Sequence, residues 1–172
     1  LNNDGYGDVL VGTPFANTEL LDNGEAFVYL GSNNFDSTSD AHLTKLPAEA
    51  EAAFGRRDIV CDLNNDNYDD AIVSAYLADN QRGNNGEVHV FFGRPGNTFD
   101  NHVDVILTKT PGEGSANFGE SLSCGDVNGD NITDLVIGVF GADTGAIDNG
   151  QVFVVFGSTG PFGIDLDIYR VN

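Results

Sequence analysis

Three stretches of the chain place oxygen-bearing groups at every second position. In the second, Asp62, Asn64, Asp66 and Asp70 hold positions 1, 3, 5 and 9 of a loop, and Tyr68 offers a main-chain carbonyl at position 7. The third repeats the set with Asp126, Asn128, Asp130, the carbonyl of Ile132, and Asp134. The first keeps Asn2, Asp4, the carbonyl of Tyr6, and Asp8, its position 1 falling before Leu1. Such alternation gathers hard oxygen donors around one centre. With no Cys or His among them, the set selects Ca²⁺ over zinc or copper, and an irregular loop suits calcium better than the rigid octahedron of magnesium. Two complete Ca²⁺ sites and a third, truncated one are expected.

Position 6 of these loops is Gly5, Asn67 or Asn131, the residue types that tolerate the left-handed backbone of a sharp turn. Three carboxylates in one complete loop repel each other, which a cation would relieve. An EF-hand starts the same way but needs a bidentate Glu at position 12 and flanking helices. Position 12 here is Val11, Val73 or Ile137, so that reading is excluded.

The elements that carry the loops repeat with them, at a period of roughly 62 to 64 residues. Each loop runs into a short apolar stretch, residues 9–12, 71–74 or 135–138, which reads as a buried strand. A polar segment then closes on Asp22-Asn23-Gly24, Asn84-Asn85-Gly86 or Asp148-Asn149-Gly150, where Asn-Gly is expected to supply the positive φ of a hairpin turn. A second apolar strand follows at 26–30, 88–92 and 152–156. More polar segments at 42–46, 105–110 and 165–171 read as outer-edge strands, and Phe54-Gly55 and Phe118-Gly119 open strands leading into the next loop. Helix-forming composition is confined to residues 48–53, enough for at most one turn. Each repeat thus holds four antiparallel strands, the unit of a β-propeller blade. The expected division is 1–53, a blade lacking its first strand, then complete blades at 54–117 and 118–172.

Composition agrees with an all-β chain: 22 glycines in 172 residues, with aromatics supplied by Phe and Tyr alone. A formal charge of −20 would push the chain away from phosphate backbones, so nucleic acid is excluded as a partner. No apolar run approaches the roughly 20 residues of a membrane-spanning helix. The chain starts at Leu1 and contains no Met, which fits a processed protein or a part of a longer one. Propellers need about four to eight blades to close, so about three blades require further blades of the same protein, or neighbouring chains, at both ends.

The run from Phe118-Gly119 through Cys124-Gly125-Asp126-Val127-Asn128-Gly129-Asp130 to Asp134-Leu135-Val136-Ile137-Gly138 resembles the FG-GAP repeat of integrin α-subunit propellers, and the likeness covers essentially the whole chain. The resemblance implies a seven-bladed propeller with calcium at one end and partner-binding loops at the other. Residues 17–23, 79–85 and 143–149, with the connections 47–53 and 111–117, would form that second end. The chain departs from the family's Gly-Ala-Pro element, having Gly12-Thr13-Pro14, Ser74-Ala75-Tyr76 and Gly138-Val139-Phe140.

Cys61 and Cys124 end equivalent strands but lie one residue out of register when counted from Phe54 and Phe118, so they should point to opposite faces. Buried free thiols are the expectation, since a disulfide needs adjacent blades to bring the two together. His42, His89 and His102 lack a matching nucleophile or carboxylate dyad and read as strand histidines with satisfied hydrogen bonds. Two function classes follow. One is a non-enzymatic module, extracellular or at the cell surface, serving recognition, adhesion or assembly, in which calcium braces the blades and loops bind a protein or glycan. The other is the accessory propeller of a secreted or cell-surface enzyme, of phospholipase or polysaccharide lyase type, whose catalytic domain lies outside this stretch.

Overall fold

Short β-branched runs bounded by Gly, Asn and Asp cannot build helices, and none occurs among the described residues. The computed structural model describes every residue except 80–82, 111, 113, 144–148, 160–163 and 172, and only the backbone of 164–171. Strands β1 (Val9–Thr13), β2 (Glu25–Tyr29) and β3 (Ala41–Leu43) make the first sheet. The second joins β4 (Asp58–Cys61), β5 (Asp70–Ala75), β6 (Glu87–Phe91) and β7 (Val105–Thr108). The third joins β8 (Phe118–Gly125), β9 (Asp134–Val139), β10 (Gln151–Gly157) and β11 (Ile164–Val171). Every pairing within them is antiparallel between consecutive strands. Such meanders put the three acidic loops at one end and the β1–β2, β5–β6 and β9–β10 loops at the other. Glu51 and Ala53 adopt φ of 61° and 54°, which ends any helical path in the Ala/Glu segment.

Successive side chains of a strand face opposite ways, and the sheets use this to stack. Ala71, Val73, Ala75 and Phe91 of the second sheet join Ala26, Val28, Leu43 and Phe54 in one core. Ile72, Val88, Val90 and Leu107, on its other face, join Leu135, Ile137, Val139 and Phe153 in a second core. The middle sheet is therefore buried on both sides. β1 is not buried as expected: Val9 and Val11 are 44% and 42% exposed. They pair with Tyr29 and Phe27 and correspond to Ala71 and Val73, so their face is the one that a preceding sheet covers in the next repeat.

The Phe-Gly dipeptide is the joint between sheets. The Phe54 N–H donates to the Asn23 carbonyl at 3.1 Å, and the Phe118 N–H to the Asn85 carbonyl at 2.9 Å. A Cβ on Gly24 or Gly86 would come within 2.2 or 2.4 Å of the Phe54 or Phe118 carbonyl oxygen. Glycine is needed there for close approach as well as for its positive φ of 77° and 86°. The Asn-Gly corners take their positive φ from the glycine, with Asp22 and Asn84 left-handed two residues earlier; Asn23 and Asn85 are buried, and their main-chain carbonyls accept from the next sheet.

A polar link crosses the same joint. Lys45, buried, reaches Glu49 at 2.9 Å and Glu87 of β6 at 3.4 Å. Burial pushes the Glu87 carboxyl up, but the His89 hydrogen bond and the Lys45 charge outweigh it and hold Glu87 below its usual range. His89 is fully buried with Nε2 2.9 Å from Glu87, stacks edge-on against Phe54, and leaves Nδ1 without a partner. It is half satisfied, not fully as expected. His42 stacks on Phe27 and lies 3.1 Å from Glu25.

The free-thiol expectation is overturned. Cys61 and Cys124 form a disulfide with Cα atoms 6.6 Å apart, joining β4 to β8. Cys61 pairs with Asp70, whereas Cys124 pairs with Leu135, one residue beyond the equivalent Asp134. The register offset is real, but stacked sheets present opposite faces to each other. Opposite faces are what an inter-sheet bond requires. The bond closes a chain separation of 63 residues, for which the chain-entropy account gives a constraint on the unfolded state of about 4 kcal/mol. Replacing both cysteines with serine is expected to lower stability by about that amount in urea unfolding. Alkylation of both thiols in denatured, unreduced protein would contradict the bond.

Candidate metal centres in the acidic loops

The three loops share one internal hydrogen-bond network. In the second, Asp62 accepts the N–H of Asp66 at 3.1 Å and of Asn67 at 2.8 Å. Asn64 donates from Nδ2 to Asp66 at 3.0 Å, and Asp66 accepts the Tyr68 N–H at 2.9 Å. In the third, Asp126 accepts from Asp130 at 3.2 Å and Asn131 at 2.9 Å, Asn128 donates to Asp130 at 2.8 Å, and Asp130 accepts from Ile132 at 2.8 Å. The first keeps what its sequence allows: Asn2 donates to Asp4 at 3.1 Å and Asp4 accepts the Tyr6 N–H at 2.9 Å. Gly5, Asn67 and Asn131 have φ of 90°, 71° and 67°, as the turn argument requires. Sequence reasoning missed a second left-handed position, at Asn3, Asn65 and Gly129, two residues earlier and signalled by the same Asn/Gly preference.

Position 9 does something different. Asp70 is fully buried and accepts two main-chain N–H groups, Leu63 at 2.9 Å and Gly93 at 3.0 Å. Asp134 takes Val127 at 2.9 Å and Gly157 at 3.0 Å. Asp8 takes Asn2 at 3.3 Å and Gly31 at 2.7 Å. This residue closes each loop and pins it to the end of the third strand in the sheet, a role the side-chain spacing alone did not indicate.

Two of these aspartates are perturbed, in opposite directions. Burial raises the Asp70 carboxyl to about 7; the Leu63 and Gly93 N–H groups oppose this, while Asp66 and Asp62 add to it. The exposed Asp126 is held below its usual range, first by the Asn131 N–H, against an opposing desolvation effect, with the Gly129 and Asp130 N–H groups adding to the lowering. As the side chains stand, their oxygens face the loop's own N–H groups, and no three Asp, Glu, His or Cys side chains converge as a metal cage among the described residues. The donor set still fits a hard cation. It consists of carboxylate, amide and main-chain oxygens, over a carboxylate in the second loop that burial first, and its two acidic neighbours after it, push toward protonation.

A folded-state value near 7 against 3.8 unfolded means that Asp70 holds its proton in the folded chain where the unfolded chain has lost it. With divalent ions chelated, stability should therefore fall as pH rises from 5 to 7, by up to about 1.4 kcal/mol per pH unit. Asp70→Asn is expected to remove that component of the slope, read from urea unfolding at each pH. Equal slopes in variant and wild type would contradict the assignment.

The FG-GAP repeat family matches residues 54–91 and 118–155, each running from the Phe-Gly joint through the acidic loop to the third strand. The chain is 30% identical over 164 residues to integrin alpha-5 of Xenopus laevis, covering 90% of this chain and 15% of that protein. It is 33% identical over 149 residues to integrin alpha-PS5 of Drosophila melanogaster, covering 83% and 14%. It is also 30% identical over 146 residues to the phosphatidylinositol-glycan-specific phospholipase D of Bos taurus, covering 80% and 17%. The chain thus spans a small part of the length of these relatives. No helix in the described residues is long and apolar enough to cross a membrane. The chain carries FG-GAP repeats of the integrin-α-like β-propeller type.

Proposed function

We propose that this stretch is a calcium-braced recognition module, extracellular or at the cell surface, acting in adhesion or assembly as part of a seven-bladed propeller. The observation that carries the calcium assignment is the threefold recurrence of one oxygen-rich hydrogen-bond network, each copy built over a buried aspartate. Asp62, Asn64, Asp66, Asp70 and the Tyr68 carbonyl would hold one ion, and Asp126, Asn128, Asp130, Asp134 and the Ile132 carbonyl another. Asn2, Asp4, Asp8 and the Tyr6 carbonyl would form a weaker third site. Bound there, a divalent cation supplies charge that offsets carboxylate repulsion. It also locks the loop joining the first two strands of a sheet.

The partner surface on this reading is the end opposite the acidic loops. Those loops already brace one another across sheets: Glu51 N–H donates to the Leu21 carbonyl at 2.7 Å and Ser115 N–H to the Gly83 carbonyl at 2.8 Å. Such cross-links make a firm platform for a protein or glycan partner. Parts of the loops 79–85, 111–117 and 143–149 lie outside the described residues. A second reading is favoured by one finding, the similarity to a phospholipase D: the repeats would be the accessory propeller of an enzyme whose catalytic domain lies elsewhere in the chain. No catalytic role is proposed for the residues of this stretch on either reading.

Chelating divalent ions is expected to lower the melting temperature by several degrees or more and calcium to restore it. Asp66→Ala and Asp130→Ala should each reduce the calcium stoichiometry by one in calorimetry. Unchanged melting after verified metal removal, or unchanged stoichiometry, would sink the calcium assignment. A catalytic domain in the full-length sequence would favour the second reading.

A further inference from the structure

We propose that the Cys61–Cys124 bond is a thiol-redox switch on the second and third acidic loops, holding both in their calcium-binding form when oxidised and weakening both when reduced. This rests on the calcium reading of those loops. The position of the bond carries it. Cys61 precedes Asp62, the first donor of the second loop, and pairs across the sheet with Asp70, its last. Cys124 stands two residues before Asp126, the first donor of the third loop, and pairs with Leu135, beside Asp134. The sulfurs thus join the two loops at their roots.

The main chain continues the connection. Asp70 holds the Leu63 N–H, and the Leu63 carbonyl accepts the Ser158 N–H of the third repeat at 3.2 Å. Gly157, next to Ser158, is held by Asp134. The first and second loops show the same contact without sulfur. There the Leu1 carbonyl accepts the Arg94 N–H at 3.2 Å, Gly93 is held by Asp70, and the β4 residue that corresponds to Cys124 is Val60. Only main-chain contacts of this kind would remain between the second and third loops after reduction, against repulsion between the carboxylates of Asp62 and Asp66 and those of Asp126 and Asp130. At the other end of β4 and β8, Arg57 still grips Glu120. Reduction therefore frees the loop end and leaves the far end fastened.

The reductant is a dithiol. Cys61 is 8% exposed and Cys124 half-buried, so attack falls on Cys124, the more open of the two. The dithiol's thiolate forms a mixed disulfide there and displaces Cys61 as a thiolate; its second thiol then displaces Cys124. Two electrons and two protons pass to the cysteines, and the reductant leaves as a disulfide.

The test is calcium calorimetry on the full-length protein, with Asp66→Ala and Asp130→Ala marking which heat belongs to which loop. The double variant Cys61→Ser, Cys124→Ser is expected to bind calcium at least tenfold more weakly at both loops. Arg57→Ala, which loosens the same joint at its far end, should leave both affinities within twofold. Linkage requires the converse on the wild-type chain. A tenfold loss at each of two sites is a hundredfold in all, so saturating calcium should lower the midpoint potential of the bond by about 60 mV. That potential is read in a dithiol redox buffer by alkylation of Cys61 and Cys124 and mass spectrometry. Unchanged affinities in the double variant, or an equal loss in Arg57→Ala, overturn the switch and leave the calcium reading standing. So does a midpoint potential unmoved by calcium, whether or not the double variant folds. Absence of calcium heat from either loop of the oxidised protein overturns both.

Discussion

A single buried carboxylate at the ninth position of each acidic loop organises its repeat. Asp70 holds the start of its loop through Leu63 and the exit of β6 through Gly93, so one side chain ties the entry of the second strand to the far end of the third. Gly93 is constrained by that closeness: a Cβ there would lie 2.3 Å from the Asp69 carbonyl oxygen. Asp134 with Gly157, and Asp8 with Gly31, repeat the arrangement. Placing a carboxylate beneath two others raises the free energy of the charged loop, and a divalent cation is the compensating partner the proposed function supplies.

From these clamps the stacking of sheets follows. In the first two repeats the Asn-Gly corner before β2 or β6 offers a buried Asn carbonyl that receives the next Phe-Gly dipeptide. The joint therefore fixes the position of one sheet on another, while the apolar faces supply most of the stabilisation. The Cys61–Cys124 bond and the Lys45–Glu87 pair are two different fastenings of successive joints. Arg57, donating to the Glu120 carbonyl and carboxylate at 2.8 Å each, adds a third.

What the sequence made legible was what lies within one repeat. The strand positions, except that β4 begins at Asp58 and not at Phe54, and the left-handed residues at Gly5, Asn67 and Asn131 follow from local spacing and residue type; the division of loops between two ends follows from the family resemblance. What it hid lies between repeats. The offset of Cys61 and Cys124 argued against a bond only while each sheet was considered alone. Val9 and Val11 resemble buried residues because their exposure depends on what covers that face, not on their own segment. Lys45 of the first repeat meets Glu87 of the second across a joint, where no periodicity points. The ninth-position aspartate was legible as an oxygen donor, but not as a main-chain clamp, since its partner glycine stands 23 residues away.

The recurrence of a buried aspartate under an exposed acidic rim joins the fold to the function proposed for it: a scaffold fixed by calcium at one end, leaving the other free to meet a partner. The most direct measurement of that claim is anomalous diffraction from crystals grown with calcium. The account predicts a peak in each loop, with oxygens of Asp62, Asn64, Asp66, Asp70 and the Tyr68 carbonyl at roughly 2.3–2.6 Å from the second ion, and the same arrangement in the third. Loops without a peak, their carboxylates still on main-chain N–H groups at saturating calcium, would contradict it.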